Sequence, residues 1–223
     1  MKIGEVRRRL LADILAVGAP YALALAGGHA VQAHGLVDRP SRDVEVATES
    51  PVGTGHIVAA VRAGLEERGW RVGALETEPL AARLVVSDSV TGEECAVQVL
   101  KEVLWRPPVL TELGPALSLV DVVGTRVRAL ADQGLAHDLI DVHAAAELWS
   151  HPELEELGRR HAGDAFDLAD LQARLIGAEW IDDREFTAYG LDGRAVAELR
   201  RWAQEWADDI GERLAESTAP DDE

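Results

Sequence analysis

Every run with the period of a β-strand falls between Asp43 and Leu100, while the chain beyond Leu119 carries only helical spacing. A chain so patterned is restricted to a small sheet followed by a helical half. Asp43-Val44-Glu45-Val46-Ala47 alternates polar and apolar residues, as a half-buried strand does. Three further strands are expected over Trp70 to Leu75, Arg83 to Asp88 and Glu94 to Leu100, the last two joined as a hairpin at Thr91-Gly92. Before them, Leu10, Leu11, Ile14, Leu15, Leu23 and Leu25 predict one helix, a break near Gly18 and Pro20, and a second helix that Gly27 and Gly28 end or turn. A helical turn over His29 to His34 follows. Ile57, Val58, Val61 and Leu65 predict a helix over His56 to Arg68, closed by Gly69. After a loop through Trp105-Arg106-Pro107-Pro108, helices are expected over Leu119 to Ala131, His137 to Trp149, Glu153 to His161, Asp167 to Leu175, around Asp183 to Glu185, and over Asp192 to Ala215. The fold class is therefore α+β: a small mixed sheet flanked by helices, then a helical C-terminal half. The expected division is an α/β core at 1–110, a helical region at 111–216 and a flexible acidic tail at 217–223.

Composition narrows the function. Hydrophobic residues make up 47% and charged residues 28%, which is ordinary globular usage and excludes disorder over most of the chain. The net charge of -18 opposes nonspecific binding to phosphate backbones, so a nucleic-acid substrate needs a local basic patch, a partner protein or metal ions. The same field favours a cationic small molecule. The lone Cys95 forms no internal disulfide, which points to the cytoplasm. No apolar run reaches the ~20 residues of a membrane span. Arg7, Arg8 and Arg9 precede an apolar stretch that mimics a secretory signal, but Asp13 and Pro20 interrupt it, so no cleavage is expected.

The chemistry is concentrated in two short patterns. Residues two apart on a strand share a face, so Asp43 and Glu45 present paired carboxylates while Val44 and Val46 enter the core. Two carboxylates on a rigid face suit Mg²⁺ or Mn²⁺, whose shell is completed by water and substrate phosphates. Gly27-Gly28 lets the backbone approach a phosphate. Alone, an exposed Asp-x-Glu on an edge strand is more often solvated surface, and a Gly-Gly after a helix is more often a C-cap. Together they make a more specific pattern: Gly-Gly, then fourteen residues (29 to 42), then a strand bearing the two acids.

The segments Leu25-Ala26-Gly27-Gly28-His29-Ala30 and Arg39-Pro40-Ser41-Arg42-Asp43-Val44-Glu45-Val46 resemble the nucleotidyltransferase signature of the DNA polymerase beta-like superfamily, with greatest similarity to its AbiEii/AbiGii toxin-type family. A second stretch, Thr125 to Leu130 followed by His137-Asp138-Leu139-Ile140-Asp141-Val142, is similar to a further motif of that family. The resemblance spans residues 10 to 150. It implies that Gly27 and Gly28 hold nucleotide phosphates, that Asp43 and Glu45 bind Mg²⁺, that Arg39 and Ser41 support the triphosphate, and that Asp141 is a further acidic site residue. Arg126 stands where such proteins often carry Lys. The activity implied is transfer of a nucleotidyl group from an NTP to an acceptor hydroxyl of RNA, protein or a small molecule, by a toxin with an antitoxin partner.

Three positions depart from the family pattern. Gln98 stands where a third carboxylate is expected on a later strand, and Gln133 and His137 replace basic residues. Gln is a neutral, poorer ligand for Mg²⁺ and serves as no base. Either Glu94 or Glu102 substitutes, or the chain is a catalytically impaired module that binds nucleotide or protein. A third reading, a helical interaction protein with an accidental Asp-x-Glu, leaves both motif blocks unexplained. His29 and His34 read as partly buried or surface histidines, His137 and His143 as helix-surface residues, and Trp180, Trp202 and Trp206 as packing groups in the core or between domains.

Overall fold

The computed structural model describes residues 3–218. The chain divides into two compact units, Met1–Val122 and Val123–Glu223. The first unit opens with α1 (Glu5–Gly18), a 3₁₀ turn (Ala19–Tyr21), β1 (Ala24–Leu25), α2 (Gly27–Ala33), β2 (Val44–Thr48) and α3 (Thr54–Glu67). It continues through β3 (Trp70–Thr77), β4 (Ala81–Asp88), β5 (Glu94–Lys101), β6 (Val109–Thr111) and β7 (Gly114–Ala116). The seven strands form one mixed sheet in the order β3-β4-β5-β2-β1-β7-β6, so β2 lies at its centre and not at an edge.

The sheet is amphipathic because its strands alternate. Val44, Val46, Leu84, Val86, Val97 and Val99 are buried and form one core with Leu10, Leu11 and Ile14 of α1 and Ile57, Val58, Val61 and Leu65 of α3. The apolar stretch that mimics a signal is thus part of the core. The β4–β5 turn is fastened by Asp88, whose carboxylate accepts from Val90 N (3.2 Å), Thr91 Oγ1 (3.1 Å) and Arg9 Nη2 (3.0 Å).

Two expectations are corrected at the N-terminus. The helix predicted around Leu23 and Leu25 is a two-residue strand, because Pro20 ends α1 in a 3₁₀ turn, Ala22 turns the chain at φ 51°, and Leu25 pairs with Val46 on one side and Ala116 on the other. Gly27-Gly28 accordingly follows a strand and begins a helix, so it is no C-cap. The β6–β7 hairpin is also absent from the sequence reading.

The second unit is helical. Beginning within the first unit, α4 (Leu119–Asp132) leads to α5 (Ala136–Ala145), α6 (His151–Ala162), α7 (Leu168–Gly177), α8 (Asp183–Thr187) and α9 (Gly193–Thr218). A capping box of Ser150 and Glu153 opens α6, which is why the helix predicted to reach Trp149 stops at Ala145. Glu155 is buried and accepts from Trp206 Nε1 (2.9 Å) and Arg213 Nη1 (2.8 Å), tying α6 to α9. Trp202 and Trp206 lie on one face of α9 with ring centroids 5.3 Å apart, as expected, whereas Trp180 is 84% exposed and packs no core. Of the tail expected from 217, α9 includes Ser217 and Thr218, and 219–223 lie outside the described residues. Among the described residues no helix is long and apolar enough to cross a membrane.

Candidate active site

The candidate site starts from a hydrogen bond between two of the sheet's inner strands. Ala26 N donates to Glu45 O at 2.9 Å, which sets the Gly-Gly turn against β2; Glu45 lies on that strand, and Asp43, expected to be its first residue, lies immediately before it. Each glycine has its own reason. Gly27 sits at φ 56°, where a side chain is strained. A Cβ on Gly28 would lie 2.7 Å from Ser41 Oγ and 3.3 Å from Arg39 Nη2. The backbone of the turn, Ser41 and Arg39 are therefore packed into one cradle. Both side chains are buried, and Ser41 Oγ donates to Asp43 O at 3.1 Å. The Arg39 carbonyl accepts from Gln32 Nε2 of α2.

Asp43 and Glu45 are each partly exposed, flanking the fully buried Val44. Glu45 pairs with Gln98 in the parallel β2/β5 ladder, and Gln98 pairs with Arg83 in the antiparallel β5/β4 ladder. These partners share a sheet face, so the position expected to supply a third carboxylate is beside Glu45 and carries an amide. Glu94 is exposed at the start of β5 and accepts from Ser87 Oγ at 3.3 Å; Glu102 follows the strand. Among the described residues no three or more His, Cys, Asp or Glu are grouped to hold a metal. The donor set of Asp43 and Glu45 fits one hard divalent cation completed by substrate and water oxygens.

Arg7 was not foreseen at the site, and His29 is buried more deeply than expected. Arg7 Nη1 of α1 donates to Ser41 O at 2.8 Å, reaching the loop before Asp43 across 34 residues of sequence. His29 is 1% exposed, not surface or half-buried, and its pKa is lowered to about 4, first by burial and then by the Arg7 guanidinium, against the opposing pull of Glu45. It is neutral at pH 7. His34 is half-buried against the Leu117 carbonyl, 2.8 Å away.

Arg126 and Asp141 belong to the second unit, where they form a buried cluster. Arg126 Nη1 donates to Asp138 Oδ1 at 3.0 Å, and Arg126 Nε lies 3.4 Å from Asp141 Oδ2. Burial pushes the Asp138 carboxyl up from its ordinary range, and Arg126 opposes this. His137 Nε2 lies 3.4 Å from Asp138 Oδ1, and Gln133 follows the end of α4.

No family model matches the chain, and no curated protein matches it in sequence. Solved structures do match in fold. MenT4, a nucleotidyltransferase toxin from Mycobacterium tuberculosis, superposes with a TM-score of 0.62 at 16% identity over 92% of this chain and 82% of its own. The protein JHP933 from Helicobacter pylori gives 0.55 at 17% identity, covering 96% of this chain and 97% of its own. A further H. pylori protein, proposed to be a nucleotidyltransferase, gives 0.57 at 14% identity over 98% of this chain and 100% of its own. The chain shares the fold of these solved structures. Nearly its whole length participates in that likeness, including the helical second unit, to which no motif beyond residue 150 was assigned.

Proposed function

We propose that the protein is a metal-dependent nucleotidyltransferase that moves a nucleotidyl group from an NTP to an acceptor hydroxyl, and that it acts in the cytoplasm as the toxin of a toxin–antitoxin pair. One observation carries the activity: Ala26 N, at the entry to the Gly27-Gly28 turn, donates to the Glu45 carbonyl of the central strand, beside the paired acids of the resembling motif. The likeness to MenT4 supports the fold context and motivates the toxin role. Gly27 and Gly28 give the backbone close access to the triphosphate, with Ser41 and Arg39 behind them. Asp43 and Glu45 would hold Mg²⁺, which when bound would supply positive charge to offset that developing on the phosphates and the pyrophosphate leaving group. In the reaction the acceptor oxygen bonds to the α-phosphorus, the bond to the bridging oxygen breaks, pyrophosphate leaves, and the hydroxyl proton passes to water. Incubation with each α-labelled NTP, Mg²⁺ and separated RNA, protein and small-molecule fractions is expected to label one fraction, and Asp43→Ala to abolish it. No labelling by any NTP, or labelling unchanged in Asp43→Ala, overturns the reading.

Gln98 favours a second reading, a nucleotide-binding module without turnover. A large gain of transfer on Gln98→Glu supports it, and a wild type that already turns over refutes it.

A further inference from the structure

We infer that Arg83, with Gln98 beside it, is an anion-binding residue of the candidate site that takes a phosphoryl oxygen of the nucleotide on the side where a third carboxylate would hold a second cation. The inference rests on the nucleotidyltransferase reading of Asp43 and Glu45. Its basis is the order of residues across one sheet face: Glu45, Gln98, Arg83 and Glu76 occupy successive register positions on β2, β5, β4 and β3. Arg83 and Gln98 also line one cavity of ≈ 170 Å³ with Glu76, Glu78, Ala81 and Ala82. Arg83 is exposed, and among the described residues its guanidinium makes no ion pair or hydrogen bond, not even with Glu76 in register with it. A cation left unpaired beside two acids, in a chain of net charge -18, is placed against the prevailing field.

The donor chemistry agrees. Asp43 and Glu45 offer oxygen ligands at one end of the row, and the amide of Gln98 and guanidinium of Arg83 offer N–H donors at the other. A guanidinium at this position would repel a second divalent cation and bind a phosphoryl oxygen through charge-assisted hydrogen bonds. The site thus takes one cation, with a fixed positive charge standing where another would sit.

The test uses the whole chain, Mn²⁺ and the four α,β-methylene NTPs, which cannot be cleaved between α and β. With the analogue that binds, electron paramagnetic resonance is expected to count one bound Mn²⁺ per wild-type chain. By titration calorimetry, Arg83→Ala should weaken that analogue about tenfold and Arg83→Lys less, while Arg62→Ala on α3, an equal change of charge, leaves it unaltered. Gln98→Glu combined with Arg83→Ala should admit a second Mn²⁺. Two Mn²⁺ on the wild type, or analogue affinity unmoved in Arg83→Ala, overturns the inference while leaving the nucleotidyltransferase reading intact. Failure of all four analogues to bind, or binding of Mn²⁺ and analogue unaltered by Asp43→Ala, overturns both. Thermal melts of each variant establish that exposed Arg83 was replaced without loss of fold.

Discussion

At the scale of single residues, the two adjacent glycines serve different physical ends and should fail differently. Gly27→Ala imposes a left-handed conformation on a residue with a Cβ, at a cost of about 1–2 kcal/mol, so its first effect is a melting temperature lowered by roughly 2–8 °C. Gly28→Ala has no such strain, but its methyl must displace Ser41 and Arg39, both buried. Its main effect should be loss of affinity for a non-cleavable NTP, about tenfold, measured by titration calorimetry. Equal effects of the two substitutions on both readouts would contradict this division. His29 gives a pH dependence. Its pKa falls from 6.5 when unfolded to about 4 when folded, so between those values the unfolded chain binds a proton that the folded chain refuses. Stability therefore rises with pH from about 4 to 6.5, is complete above 6.5, and is lost as pH falls, with a contribution on the order of 3 kcal/mol. Denaturant titrations of His29→Gln should show a shallower slope than wild type across that window; parallel curves would refute it. The sequence pattern gave no sign of this group's burial, since His29 is brought against Arg7 and the Asp43 backbone by strand pairing and not by spacing.

At the scale of elements, the long periodic segments were legible and the short ones were not. α3, β4, β5 and α9 follow from repeats of apolar residues long enough to define a period, and β2 is legible one residue out of register with its observed bounds because Asp43 to Val46 alternate polar and apolar. β1, β6 and β7 have two or three residues each, too few for any period, and exist because neighbouring strands supply their hydrogen bonds. The candidate site shows the same split. Gly27, Gly28, Asp43 and Glu45 are local in sequence and were readable, whereas Arg7 and Arg83 reach the site through packing and register and were not. Close helix packing also leaves only a weak mark in sequence: a Cβ on Gly124 of α4 would meet the Leu157 carbonyl oxygen of α6 at 2.6 Å. Alanine gains about 1 kcal/mol of helix propensity over glycine, but a backbone oxygen cannot rotate away, and overpacking costs typically about 1–3 kcal/mol. Gly124→Ala should therefore lower the denaturation midpoint, and a raised midpoint would show that α4 and α6 separate freely.

At the scale of the molecule, 40 acidic residues stand against 22 Lys and Arg, and the surface field has two opposed consequences for salt. Screening weakens favourable ion pairs such as Arg62–Glu66 and Arg194–Glu198, but these are exposed pairs four residues apart, each worth only about 0.3–0.5 kcal/mol. It also weakens the mutual repulsion of the excess acids, which acts across the whole surface and destabilises the compact state. With the net charge at -18, repulsion is the larger effect. Raising NaCl from about 10 to 150 mM shortens the Debye length from about 30 to 8 Å and should raise the melting temperature. The same screening should not promote binding to nucleic acid in general, because attraction to phosphates requires a cationic surface and is itself weakened by salt. Fluorescence anisotropy with a random-sequence duplex should therefore show no binding below about 100 µM at either salt concentration. Binding that appears at low salt and vanishes at high salt would instead reveal a local basic patch strong enough to overcome the overall charge, and would turn the search for the acceptor toward nucleic acid.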